Sequence, residues 1–424
     1  MSQNFVSQNL VNQDIVIVGA GHGGAQAAAS LRDEGHQGAI TLLGAEAAWP
    51  YQRPPLSKAF LKGAMDEGGL PLRGQEFFRE HAIDLRLGVG ATRIDRAARR
   101  VHAADGWFIG YDNLILATGA RNRVPPIVGI ERAGVFFLRN IADAKGIKRR
   151  LHGAERVVVI GAGFIGLEIA ATARALGKAT TVVEVADRPM SRALSNPMSA
   201  FFRRAHEGFG ATFRFGVGAS EIGGGLDGRA AFVTLSDGAR LDADLVIVGA
   251  GVLAEDALAA EAGLMCKNGI VVDAHLRTSD ERIFALGDCA AFPDPTGLGH
   301  IRLESVQNAV DQARAIARTV VGKGEPYRAL PWFWSDQGDL KLQIAGLSVG
   351  ADLWATRGDP ETRAFSTFGY RAGKLASVES VNRGGDHLAA RRILSAGLSP
   401  TPEQVADPAF DLRKLALSVD TRSQ

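Results

Sequence analysis

This chain of 424 residues has few cysteines and no long uninterrupted apolar stretch, and neither sign of charge is in large excess. Only Cys266 and Cys289 are present, 23 positions apart, and the sequence therefore has no CxxC pair. This content excludes a thioredoxin-like dithiol, a zinc site built on thiolates and an internal iron–sulfur cluster. Low cysteine usage fits a reducing compartment, so we expect a cytoplasmic protein.

Neither a membrane span nor a secretory leader is expected. The longest apolar candidate, residues 245–264, is interrupted by Glu255, Asp256 and Glu261. The first 14 residues are polar and lack the basic–apolar–small order of a signal peptide. The formal charge is only +2, and the paired arginines are scattered along the chain, which does not favour a nucleic-acid surface.

Glycine, by contrast, is abundant, and its 51 residues cluster at the ends of apolar runs. Residues 14–19 (DIVIVG) are predicted to form a buried parallel strand, followed by a helix over 25–33 and a strand over 40–43. The same order returns as a strand, a helix and a strand over 156–161, 167–176 and 180–184. The chain therefore contains an internal βαβ repeat.

The first repeat carries a GxGxxG fingerprint between its strand and its helix. Its glycines allow a sharp turn and let backbone N–H groups approach a pyrophosphate at the helix N-terminus. They are Gly19, Gly21, Gly23 and Gly24. An acid that binds the ribose is expected at the end of the second strand, but Ala45 stands there and Glu46 follows it. Either Glu46 or a water molecule then reaches the ribose hydroxyls.

The second repeat carries a fingerprint of the same form, at Gly161, Gly163 and Gly166 with Ile165 inside it. Here Glu184 ends the second strand. A carboxylate at this point accepts hydrogen bonds from both ribose hydroxyls and repels a 2′-phosphate, so it selects NADH over NADPH. Arg188 lies four residues later and can weaken that preference. Two fingerprints in one chain predict two different dinucleotides.

Several longer motifs make the chain resemble a known family. They are WPYQRPPLSK at 49–58, LRN at 138–140, IFALGD at 283–288, ESVQNA at 304–309 and PWFWSDQ at 331–337. With them the chain resembles the FAD-dependent pyridine-nucleotide reductases, and within these the ferredoxin reductases of the putidaredoxin reductase type. Such enzymes serve bacterial cytochrome P450 and Rieske dioxygenase systems.

The resemblance implies a set of FAD contacts. Asp288 would bind the FAD ribitol, and Val306 would offer its backbone N–H to the pyrimidine edge of the flavin. Lys58, Arg139 and the backbone at Ala91 would contribute to the same site. The remaining cofactor-binding candidates are Arg53, Thr118, Gly119, Gly251, Glu304, Ser305 and Trp334.

Lys58 and Glu168 are the candidate catalytic residues. Lys58 follows two prolines on a rigid loop, and Glu168 lies just inside the helix that the second fingerprint opens. An ion pair between them would place a donor beside flavin N5, and the resemblance supports the pairing. No metal site is predicted.

The predicted fold is α/β, with two Rossmann-like dinucleotide-binding domains of the glutathione-reductase type and a C-terminal α+β domain. We assign 1–120 and 249–326 to an FAD-binding domain and 121–248 to an NADH-binding domain. The alternating strands after residue 326 belong to a C-terminal α+β domain at 327–424.

The implied activity is that of an NADH-dependent ferredoxin reductase. Hydride would pass from NADH to FAD, and single electrons would then pass to a [2Fe-2S] ferredoxin that feeds a P450 or a Rieske oxygenase. Without a dithiol in the chain, the electrons must leave it. Trp332 and Trp334 are either core aromatics or part of the electron exit. Arg314 is either a docking residue for the ferredoxin or a solvated helix charge.

Two alternative functions stay open at this point. One is an NADH oxidase, a monodehydroascorbate reductase or a nitrite reductase subunit on the same fold. The other is a protein like apoptosis-inducing factor, which would sense NADH and recruit partners. Such proteins share the WPYQRPPLSK segment but carry long insertions, which are absent here.

Overall fold

The computed structural model describes residues 11–294, 297 and 299–418. The polar residues 1–10, on which part of the leader argument depends, lie outside the described residues. By its internal contacts the chain divides into two compact units. The first unit comprises 1–52, 67–121 and 252–329, and the second comprises 53–66, 122–251 and 330–424.

The first unit is built on a five-stranded parallel sheet. Its order is Ile283–Ala285, Asn113–Leu116, Ile15–Val18, Ile40–Gly44 and Ile83–Leu87. Its two smaller sheets consist of Ala91–Asp95, Arg100–Ala103 and Phe108–Gly110, and of Ile270–Val271, Ala290–Pro293 and His300–Ile301. The α-helices are His22–Asp33, Gln75–Glu80, Ala257–Glu261 and Val306–Val320, and the short helical turns are Glu67–Gly69 and Gly287–Cys289.

The second unit repeats the parallel plan. Its five-stranded parallel sheet has the order Thr212–Phe215, Ala179–Glu184, Arg156–Ile160, Leu245–Val248 and Val135–Phe137. A three-stranded antiparallel sheet consists of Ala219–Gly224, Ala230–Leu235 and Arg240–Asp242. The helices before residue 330 are Pro54–Ser57, Ala59–Lys62, Ile141–Gly153, Phe164–Ala175 and Asn196–Gly208. Two short strands, Ala120–Asn122 and Val252–Ala254, lie where the chain passes from one unit to the other.

The second unit also contains an antiparallel sheet near the C-terminus. Its order is Trp332–Gln337, Leu340–Gly346, Lys374–Val381, Ala364–Arg371 and Leu353–Asp359. The helices Pro360–Thr362, Gly384–Ser395, Pro402–Ala406 and Leu412–Leu417 accompany it. The predicted fold class, with two parallel dinucleotide-type sheets and a C-terminal α+β part, is confirmed. Which cofactor each predicted segment binds stays a prediction.

Both parallel sheets lie in the interior, because their central strands are apolar and buried along their whole length. Ile15–Val18 and Leu245–Val248 show no exposed residue, as expected for a sheet covered on both faces. The helices that follow the two first strands begin earlier than predicted, at His22 and Phe164 instead of Ala25 and Leu167. Each has a glycine at its N-cap, so the usual Ser, Thr, Asp or Asn signal is missing from the sequence.

Candidate functional site

The two glycine loops have the same local geometry, one in each unit. Gly19 and Gly161 adopt φ of +109° and +106°, a conformation that favours glycine. A Cβ at Gly24 would lie 1.8 Å from the carbonyl oxygen of Gly19, and one at Gly166 would lie 2.1 Å from that of Gly161. These glycines are therefore required by the turn itself and by the close approach of helix to strand.

The middle glycines, Gly21 and Gly163, have a different reason. Each is the N-cap of its helix, with φ of −81° and −76°, and as a glycine it has no side chain with which to cap the helix. A Cβ at either position would meet no described atom within 4 Å beyond the chain neighbours. Each loop therefore leaves open space in front of uncapped helix N–H groups, and this cradle fits the pyrophosphate of a dinucleotide.

The candidate ribose acid of the first unit has a hydroxyl partner that the sequence reasoning missed. Tyr51 is buried and donates from its hydroxyl to Glu46 Oε2 at 2.6 Å, while the neighbouring Ala45 is exposed. Tyr51 lies within the WPYQRPPLSK segment, five residues after Glu46, and nothing in the local pattern predicts this bond. The role of Glu46 toward a ribose stays a prediction.

Asp288 lies in the turn Gly287–Cys289, directly after a buried strand. Its backbone carbonyl accepts from Arg302 Nη1 at 2.9 Å, and Arg302 Nη2 pairs with Glu304 Oε1 at 2.7 Å. Gln312 Oε1 accepts from the backbone N–H of Gly287 at 2.7 Å. Arg302 and Gln312 thus hold the backbone beside Asp288, and no sequence signal pointed to either.

The other predicted residues of the first unit lie at element ends. Ser305 is the N-cap of the helix Val306–Val320, and its hydroxyl accepts from Asn308 N at 3.0 Å. Val306 is therefore the first helical residue, where a backbone N–H has no partner within the helix. Thr118 donates from its hydroxyl to the carbonyl of Glu255 at 2.5 Å. Gly119 has a φ of +76°, and Ala91 begins a strand.

Glu184 of the second unit binds the glycine loop itself. Its carboxylate accepts from the backbone N–H of Ala162 at 2.7 Å and from that of Ala186 at 2.9 Å. The carboxylate is thereby fixed at the end of its strand with lone pairs remaining for ribose hydroxyls. Arg188 donates to the carbonyls of Leu194 and Ser191, both at 2.9 Å, so its guanidinium is engaged with its own loop.

Arg53 and Arg139 are brought together in the second unit. Arg53 Nη1 donates to the backbone carbonyl of Arg139 at 2.5 Å. The backbone N–H groups of Arg139 and Asn140 both donate to Asp143, which forms a capping box with Asn140 at the start of Ile141–Gly153. In the same unit Gly251, with a φ of +91°, accepts from the backbone N–H of Arg123 at 3.0 Å, and Ile165 is exposed.

The predicted ion pair between Lys58 and Glu168 is present. Lys58 Nζ lies 2.6 Å from Glu168 Oε2, and their side chains are only 18% and 8% exposed. Lys58 also donates to the carbonyl of Pro54 at 3.0 Å and to the Ser57 hydroxyl at 3.2 Å. A buried pair of this kind is costly to break, because removal of one partner leaves the other charge without compensation.

The Glu168 carboxylate accepts hydrogen bonds from two hydroxyl groups, in addition to its ion pair with the Lys58 ammonium. Ser57 donates to Oε2 at 2.5 Å, and Ser335 donates to Oε1 at 2.6 Å. Ser57 is itself held by Thr172, whose hydroxyl donates to the Ser57 carbonyl at 2.9 Å. Ser57 and Ser335 were not predicted as site residues, although each lies inside a motif that carries the family resemblance.

Trp332 and Trp334 are half-buried, with ring centroids 5.6 Å apart. The Arg391 guanidinium lies 4.4 Å from the centroid of Trp332. Arg314, on the helix Val306–Val320 of the first unit, is 61% exposed and pairs with Asp311 at 3.4 Å. Whether Trp334 contacts a cofactor and whether Arg314 contacts a partner stay predictions.

The described part of the chain meets the requirements of neither a metal site nor a helical membrane span. No group of three or more His, Cys, Asp or Glu residues there could hold a metal ion. No helix there is long and apolar enough to cross a membrane. Burial raises the pKa of both free thiols, Cys266 and the fully buried Cys289.

Comparison with known proteins gives matches along most of the chain. Residues 13–313 match the family model described as pyridine nucleotide-disulphide oxidoreductase, and residues 332–416 match the one described as reductase C-terminal. Rhodocoxin reductase of Rhodococcus erythropolis is 51% identical over 404 residues, which cover 95% of this chain and 94% of that protein.

Two solved structures are similar over nearly the full length. The ferredoxin reductase for the CYP199A2 system from Rhodopseudomonas palustris is 47% identical with a TM-score of 0.93, covering 96% of this chain and 100% of that one. The covalent putidaredoxin reductase–putidaredoxin complex gives 37% identity and a TM-score of 0.93, covering 96% of this chain and 99% of that one.

Proposed function

We propose that this chain, which belongs to the pyridine nucleotide-disulphide oxidoreductase family, is an FAD-containing, NADH-dependent ferredoxin reductase. The observation that carries the proposal is the pair of open glycine cradles, one in each unit, each in front of an uncapped helix N-terminus. The matched ferredoxin reductase for the CYP199A2 system and the putidaredoxin reductase–putidaredoxin complex support a ferredoxin as the acceptor.

When bound, FAD would supply the chemistry of hydride acceptance and one-electron release. The chain supplies binding, orientation and charge. Gly21 and Gly163 leave room for the two pyrophosphates, and Glu184 offers carboxylate oxygens to the ribose hydroxyls of NADH. We propose that Lys58 lies beside the flavin and that Glu168 holds its ammonium in place.

An external acceptor follows from the cysteine content. A disulphide reductase passes the electrons to a redox-active pair of cysteines, whereas this chain has only Cys266 and Cys289, 23 positions apart. Cys289 is buried and its thiol pKa is raised, so it is a poor redox group. The electrons therefore pass to another protein, for which we propose a [2Fe-2S] ferredoxin that feeds a P450 or a Rieske oxygenase. The cytoplasm, with its reducing conditions, is the proposed location.

The test is NADH-driven reduction of cytochrome c by the purified FAD protein, with and without a [2Fe-2S] ferredoxin from the same source. We expect a rate that depends on the ferredoxin and that is much lower with NADPH, because a carboxylate at Glu184 repels a 2′-phosphate. A rate that is indifferent to every ferredoxin supplied would contradict the proposal and point to a quinone or oxygen as the acceptor.

A further inference from the structure

A buried chain of hydrogen bonds continues from Glu168 into the C-terminal sheet of the second unit. Ser335 donates to Glu168 Oε1 at 2.6 Å, and Gln337 Nε2 donates to Ser335 Oγ at 3.2 Å. Gln337 Oε1 lies 2.8 Å from His206 Nε2. Ser335, Gln337 and His206 are all fully buried. We call Ser335, Gln337 and His206 the relay to Glu168. In the sequence, Ser335 lies 167 positions from Glu168, and Gln337 lies 131 positions from His206.

The direction of every bond in the relay follows from its acidic end. A carboxylate has no hydrogen to donate, so the single hydroxyl hydrogen of Ser335 is committed to Glu168. The Ser335 oxygen must then accept from the amide nitrogen of Gln337, which turns the amide oxygen toward His206. The Met190 sulfur, 3.5 Å from Gln337 Nε2, is a weak acceptor and fits the same orientation of the amide.

The histidine is thereby restricted to one form. Because Gln337 presents its oxygen, His206 must carry a hydrogen on Nε2. Burial lowers the pKa of His206, with Gln337 opposing the shift, so the ring is neutral at neutral pH. Nδ1 has no hydrogen-bond partner in the described part of the chain, as expected for the nitrogen that lacks a hydrogen. A charge at Glu168 thus selects the tautomer of a histidine that does not touch it.

We propose that Ser335, Gln337 and His206 are positioning residues, which donate hydrogen bonds one after another toward Glu168 and hold its carboxylate against the Lys58 ammonium. The proposal rests on the proposed function in one respect, namely that Lys58 lies beside the flavin. Hydrogen bonds to a charged group are stronger than neutral ones, and each donor in the relay is polarised by the one behind it. Loss of a donor weakens the hold on Glu168 and, through it, the position of Lys58.

The first measurement reads the relay without any turnover. In the FAD-loaded protein labelled with ¹⁵N-histidine, the His206 signal is identified by its absence in His206→Gln. We expect the neutral Nε2–H tautomer from pH 6 to pH 8. A neutral Nδ1–H tautomer would overturn the proposal, because its Nε2 has no hydrogen to donate to the Gln337 oxygen.

The second measurement is the rate of flavin reduction by NADH in stopped flow, without a ferredoxin. Ser335→Ala removes the donor that touches Glu168, and we expect the limiting rate to fall about tenfold with NADH affinity unchanged. Ser335→Thr keeps the hydroxyl and should recover most of the rate. His206→Phe removes the far donor and should lower the rate less, whereas His206→Gln keeps a donor and should recover it.

The matched control is His36→Phe, which removes an equally buried histidine from the core of the first unit and should leave the rate unchanged. Unchanged rates in Ser335→Ala, a loss of NADH affinity in place of rate, or no recovery in His206→Gln would each overturn the proposal. A wild-type flavin that NADH does not reduce would instead contradict the proposed function, and the tautomer measurement would still decide on the relay.

Discussion

At the scale of single residues, Glu168 and Glu379 are buried carboxylates of the second unit with different partners. Glu168 meets the Lys58 ammonium and two hydroxyl groups. Among the described residues, Glu379 accepts hydrogen bonds only from Ser195, through its backbone N–H at 2.9 Å and its hydroxyl at 2.5 Å. Burial raises the pKa of Glu379 to about 7, although the Ser195 bonds and the charge of Arg188 oppose the shift. Glu379 should therefore make the stability of the fold depend on pH.

The sign of this dependence follows from the raised pKa. Unfolded, the carboxyl titrates near 4.5, whereas folded it titrates near 7, so the folded state holds the proton over that range. The contribution is fully favourable below about pH 4.5 and is lost as the pH rises to about 7. We expect the free energy of unfolding to fall across this window by up to about 3 kcal/mol relative to Glu379→Gln, which cannot titrate.

Urea unfolding of both proteins at pH 5 and pH 8 measures this difference, with all other titrating groups shared. Equal pH dependence in the wild type and in Glu379→Gln would contradict the shift. Glu379→Gln should lose little of the hydrogen bonding, because its amide oxygen can still accept from the backbone of Ser195.

At the scale of elements, the start of the helix Phe164–Ala175 contains one glycine that the fold requires and one that it does not. Gly166 cannot accept a Cβ, which would lie 2.1 Å from the Gly161 carbonyl oxygen. Gly163 has an ordinary negative φ and open space, so alanine fits it in the protein alone. The fold therefore gives no reason for glycine at 163, and a pyrophosphate does.

Gly163→Ala should accordingly weaken NADH binding at least tenfold while FAD content and thermal stability stay close to those of the wild type. The dissociation constant for NADH and the melting temperature are the measurements. Gly74→Ala is the matched control, because Gly74 is also a helix N-cap with open space and a φ of −72°. It should change neither quantity, and equal effects of the two substitutions would contradict the cradle.

The same elements show what the sequence can and cannot reveal. The βαβ repeats were predictable, because β-branched runs that end in glycine are local signals. The helices begin at His22 and Phe164, three residues before the predicted starts, because a glycine N-cap carries no side-chain signal in the sequence. The bonds of Glu168 to Ser335 and of Glu379 to Ser195 join residues 167 and 184 positions apart, so no local pattern contains them. The Lys58–Glu168 pair was predicted from the positions of the two residues in their motifs, with the support of the family resemblance.

At the scale of the whole molecule, the formal charge of +2 offers no strong overall attraction for an acidic partner. Electrostatic recognition of the proposed ferredoxin would then depend on local charges. Arg314 is well suited, since its ion pair with Asp311 is exposed and 3.4 Å long. Such a pair contributes little to stability, so the guanidinium can exchange it for a carboxylate of the partner at small cost.

We therefore expect Arg314→Glu to slow ferredoxin reduction at least tenfold at low salt and to leave flavin reduction by NADH unchanged. The effect should shrink as salt screens the charges. Arg318→Glu is the control, because Arg318 is exposed on the same helix one turn away and the substitution changes the net charge equally. If Arg314 docks the ferredoxin, its substitution must slow the reaction far more than that of Arg318. Equal slowing would mean that only the net charge matters, and Arg314 would then be an ordinary solvated residue.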